Sequence, residues 1–145
     1  MKNIVYLLTI LIMVTAAATG CSSANALGNT DIQLKNAGET YPTKEFITYE
    51  VILQDKDGEA VSPETVYLYM NMERMHHPME GKMKETEPGK FAIELPLAME
   101  GEWYAIVTIS EGENEVEKQF EIFGEGEMEP ELLKGYNADE AENGD

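Results

Sequence analysis

Five methionines and both histidines of this chain fall within fourteen residues, Met70-Asn-Met72-Glu-Arg-Met75-His76-His77-Pro-Met79-Glu-Gly-Lys-Met83. Thioether sulfur and imidazole nitrogen are neutral, soft-to-borderline donors, and that combination suits Cu(I). The expected ligands are Met75, His76, His77 and Met79, with Met72, Met83 and Met99 as auxiliary donors. Glu73-Arg74 breaks the alternation that precedes it, and Pro78 forbids a central strand, so the stretch reads as a loop. Met70 shares the phase of Val66 and Leu68 and belongs to the core, where methionine fills irregular gaps. Glu73 and Glu80 leave a zinc site open, although zinc is less natural beside so much sulfur. Imidazole binds metal only when neutral, so affinity should fall towards acid pH.

Other chemistries find little support. A nucleophile–base pair needs a histidine near a serine or thiol, and Cys21, the only thiol, sits near the start of the chain. Paired carboxylates carry no information among 28 acidic residues. Neither a phosphate loop, a dinucleotide fingerprint nor a haem-attachment motif occurs. Asp55-Lys56-Asp57-Gly58 lacks the spacing of a calcium loop and reads as a hairpin turn. The expectation is therefore a binding protein, not an enzyme.

The elements that display the Met/His loop follow a period of two. Ile47, Tyr49, Val51 and Leu53 alternate with polar residues, as do Val66, Leu68, Met70 and Met72. The same holds for Phe91, Ile93, Leu95 and Leu97, for Trp103, Ala105, Val107 and Ile109, and for Val116, Phe120 and Ile122. Ile32 and Leu34 add a short first strand. No segment keeps a helical period. Short strands broken by Gly, Pro, Asp and Asn turns predict an all-β, immunoglobulin-like antiparallel sandwich of about six or seven strands. Loops at the ends of such sandwiches commonly carry function.

The ends of the chain read differently. Lys2, the apolar run Ile4 to Val14 and the small residues up to Gly20 form an export signal over 1–20, too short to span a bilayer. Ala18-Thr19-Gly20-Cys21 resembles the lipobox of bacterial lipoproteins, with Ala18 where leucine is usual. The resemblance implies lipidation of Cys21 and an exported protein anchored to a membrane on its extracytoplasmic side. Residues 21–30 read as a flexible tether, 31–123 as the folded domain and 124–145 as an acidic disordered tail. Once Lys2 leaves with the leader, nine basic residues face 28 acidic ones, a net charge of −19. That balance argues against nucleic acid as a partner and favours cations or basic protein surfaces.

The order of features also resembles the YtkA-like family, which is related to FixH-type domains. The resemblance rests on the strand Thr65 to Met72 leading into Met75-His76-His77, then Pro88-Gly89-Lys90-Phe91, then Ala98-Met99-Glu100-Gly101-Glu102-Trp103-Tyr104. It implies an immunoglobulin-like, membrane-tethered sandwich with a link to copper handling and respiratory-oxidase assembly. Some relatives carry a histidine after the position of Trp103; this chain has none there, so its site must come mainly from 70–83. The function expected is a lipid-anchored copper carrier exchanging Cu(I) with another envelope protein. The alternative is an immunoglobulin-like interaction or scaffolding module that binds no metal.

Overall fold

The computed structural model describes residues 27–144. The leader, Cys21 and most of the tether lie outside the described residues. Among the described residues ten strands form two sheets packed face to face, so the expected all-β sandwich is correct and about six or seven strands is too few. In the four-stranded sheet the order is β1 (Asp31–Leu34), β3 (Phe46–Gln54), β7 (Lys90–Pro96), β6 (Lys84–Glu87). The six-stranded sheet runs β10 (Tyr136–Asn137), β5 (Met79–Lys82), β4 (Thr65–Asn71), β8 (Gly101–Glu111), β9 (Asn114–Glu125), β2 (Thr40–Pro42).

Pairing is antiparallel except where β10 joins β5 and β2 joins β9. Tyr49, Val51 and Leu53 of β3 point inwards against Leu68, Met70, Trp103, Ala105 and Val107, all with no exposed surface. Burying each of the larger side chains stabilises the fold by roughly 1.5–3 kcal/mol. Registers define two rims. Asn71 pairs with Tyr104 and Phe46 with Pro96 at the upper rim; Thr65 pairs with Ser110 and Asp31 with Gln54 at the lower. The described chain begins at the lower rim, where Leu27 is buried.

The C-terminal stretch corrects the expectation of a disordered tail. β9 continues to Glu125, and the chain then crosses the upper rim, where the Glu129 amide donates to the Ala98 carbonyl at 2.7 Å. A 3₁₀ turn over Pro130–Lys134 follows, then β10 and the short helix α1 (Ala138–Asn143). Asn137 caps α1 by accepting from the Asp139 amide at 2.9 Å. Leu132, Leu133, Tyr136 and Ala138 pack against the core. Tyr136 meets Phe46 edge to face at 5.2 Å, and Asp139 accepts from the Lys82 amide at 3.0 Å. The acidic composition hid these few apolar anchors. Among the described residues no helix is long and apolar enough to cross a membrane.

Candidate metal site at the upper rim

The Met/His loop joins β4 to β5 and lies at the upper rim. Asn71, 3% exposed, closes it: its Oδ1 accepts from the amides of both Met72 (2.9 Å) and His77 (3.0 Å). Its Nδ2 donates to the Tyr69 hydroxyl at 3.0 Å. Within this ring Arg74 adopts a left-handed backbone, φ 61°, and the Met75 amide donates to the Met72 carbonyl at 3.3 Å. The turn pushes Met75 outwards to 45% exposure, and His76 beside it is exposed.

His77 is half-buried and held from a second side. Its Nδ1 lies 2.6 Å from the main-chain carbonyl oxygen of Leu133. A carbonyl only accepts, so Nδ1 carries the proton and donates. In the neutral ring Nε2 is then the atom with a free lone pair. A backbone carbonyl on one ring nitrogen is the usual way proteins orient a metal-binding imidazole through the other. One residue further on, the Pro78 carbonyl accepts from the Tyr136 amide at 2.7 Å. Nothing in the residue types signals that the acidic C-terminal stretch supplies this carbonyl, since any residue presents one.

The expected ligands separate into two groups. Met75, His76 and His77 stand together on the loop. Met79 does not join them: it is the first residue of β5, pairs with Met70, and has no exposed surface. This corrects the expectation that Met79 is a loop ligand, because the period of two resumes directly after Pro78 and turns Met79 inwards. Met83 is likewise corrected to core; it lies 3% exposed where the chain crosses from β5 to β6, and its amide donates to the Val66 carbonyl. Met72 is 9% exposed under the loop, its methyl against Gly101, where a Cβ would come within 2.7 Å of Met72 Cε. Met99 is half-buried in the next upper-rim loop, and its carbonyl accepts from Trp103 Nε1 at 3.1 Å. Trp103 is fully buried, a core residue. Among the described residues, three or more His, Cys, Asp or Glu side chains nowhere converge in a cation-binding group.

The YtkA-like family model matches residues 26–108, and the chain belongs to that family. No curated protein sequence matches it. Among solved structures it is similar to the Lin-41 filamin domain, at 18% identity and TM-score 0.47, over 65% of this chain and 91% of that one. It is also similar to domains 4 and 5 of the S-layer protein SbsC, at 16% identity and TM-score 0.39. That match covers 66% of this chain and about half, 51%, of the other.

Proposed function

We propose that this protein is an extracytoplasmic Cu(I) carrier, anchored through Cys21, that holds its ion at Met75, His76 and His77. The observation that carries the reading is the His77 Nδ1–Leu133 hydrogen bond, which leaves Nε2 as the free donor on the same turn as exposed Met75 and His76. Met72 lies beneath as a reserve donor, reachable if the loop shifts off Gly101, and Met99 lies in the adjoining loop. Two or three neutral donors on one exposed turn favour exchange of a soft cation over permanent burial. Family membership is consistent with this role without specifying the ion.

The test is an anaerobic Cu(I) competition titration against a chromophoric chelator. It uses the chain lacking residues 1–20 and carrying Cys21→Ser, so that the thiol cannot bind copper itself. His76→Ala/His77→Ala should weaken binding at least tenfold, with the fold retained and stability lowered only by about 1 kcal/mol for the lost Leu133 hydrogen bond. Equal affinity in the two proteins overturns the proposal.

A further inference from the structure

The outer face of the six-stranded sheet is built unlike an ordinary solvated sheet face. On β4 and β8 the outward positions include Tyr67, Tyr69, Tyr104 and Ile106, with Tyr69 opposite Ile106 and Asn71 opposite Tyr104. All four are half-buried; the Tyr69 and Tyr104 rings lie 6.2 Å apart at 37°, and the Tyr67 hydroxyl donates to Glu80 at 3.1 Å. Four adjacent large side chains on an outward face form a contiguous apolar centre, where solvated strands usually alternate to small or charged groups.

The surround of that centre is acidic. Glu121 is opposite Tyr104, Glu117 opposite Thr108 and Glu80 opposite Tyr69, while Glu102 lies one outward position above Tyr104. Lys82, opposite Tyr67, is the basic residue on this face among those paired positions. Tyrosine clusters ringed by charge are the usual anatomy of a protein-binding surface, aromatic centre and polar rim. A face of one sign also disfavours a second copy of itself and favours a partner of the opposite sign.

We infer that this face docks a basic segment of another protein, with arginine side chains stacked on Tyr69 and Tyr104 and paired to Glu117 and Glu121. Guanidinium suits both halves of the surface, since it stacks on aromatic rings and forks to carboxylates, whereas an ammonium does only the second well. The face is also wired to the upper rim. Asn71 donates to the Tyr69 hydroxyl and accepts from the His77 amide, so a partner resting on Tyr69 lies two hydrogen bonds from the loop. The docking surface is argued from metal-free geometry and does not depend on the copper reading.

The experiment measures binding of synthetic deca-arginine and deca-lysine peptides to the metal-free Cys21→Ser chain lacking residues 1–20, by calorimetry at low salt. Every core residue described above lies within 27–144, so this chain retains the fold. Deca-arginine should bind several-fold more tightly than deca-lysine, and Tyr69→Ala/Tyr104→Ala should weaken it at least tenfold. Should that variant melt early, Glu117→Gln/Glu121→Gln serves in its place, with an expected loss of several-fold. The control Glu45→Gln/Glu59→Gln/Glu94→Gln removes more charge away from the face and should change affinity less than twofold. Equal affinity for the two peptides, or an equal loss in the control, reduces the attraction to net charge and overturns the proposal. Sedimentation as a dimer that excludes the peptide also overturns it, in favour of a second copy.

Discussion

His77 donates from Nδ1 to the Leu133 carbonyl at 2.6 Å, tying the β4–β5 loop to a residue 56 positions away in the chain. The strap that carries Leu133 therefore sets the orientation of one imidazole. Gly135 is the point at which to disturb it, since its φ is +92° and a Cβ there would lie 2.8 Å from the Pro78 carbonyl. Gly135→Ala should cost about 1–3 kcal/mol of stability. It should also weaken Cu(I) binding by roughly 10-fold, as loss of an orienting partner commonly does. Chemical denaturation and chelator competition measure the two effects separately.

Asn71 satisfies two amides with one oxygen, and alanine leaves both without a partner. Asn71→Ala should destabilise the fold by about 2–4 kcal/mol, the cost of two unmet buried donors. Hydrogen exchange offers the sharper readout: the Met72 and His77 amides should lose protection while amides in the middle of β8 keep theirs.

Methionines 75 and 79 should behave oppositely. Met79→Ala opens a cavity between the sheets and should cost about 2–5 kcal/mol, with Cu(I) stoichiometry unchanged. Met75→Ala removes an exposed side chain and should leave the melting temperature alone while lowering Cu(I) affinity. Urea melts and copper titrations of the two variants, run in parallel, decide whether the division into core and loop sulfur is correct.

Tyr49 is fully buried, and among the described residues its hydroxyl is the buried side-chain polar atom without a hydrogen-bond partner. Burial first, and then neighbouring Tyr41, raises its pKa above the usual phenol range. Burial and then Glu80 push Tyr67 up to about 12. The folded chain thus keeps protons that the unfolded chain releases from about pH 10, so stability is intact below that value and falls as pH rises through it. Tyr49→Phe should stabilise the protein by about 1 kcal/mol at neutral pH and flatten the loss above about pH 10. Thermal melts over a pH series give both numbers.

The strands were legible because alternation survives in residues such as Tyr49-Val51-Leu53 and Trp103-Ala105-Val107, where one face is wholly buried. β5 was missed for a physical reason. Its inward set is Met79 and Gly81, continued by Met83 just past its end, and Gly81 has no side chain to mark the phase; Ile93 and Ala138 fill the space instead. Metal-ligand chemistry then offered a competing explanation for the same two methionines. The strap was hidden because Leu132, Leu133 and Tyr136 are too few to set a period, and their hold depends on partners far away in sequence. His76, His77 and Met75 were placed correctly on a loop, since Pro78 and the Glu73-Arg74 break are local signals. The carbonyl that orients His77 was not readable at all.

β8 has eleven residues and runs from one rim to the other, a height of roughly 35 Å at strand rise. Leu27 lies at the foot of that column and His77 at its head. With a lipid on Cys21, six residues upstream of Leu27, as proposed above, the sandwich becomes a stalk. On the proposed function, the full height of the sandwich then separates the anchored foot from the Met75-His76-His77 turn, and a partner reaches that turn at the far rim.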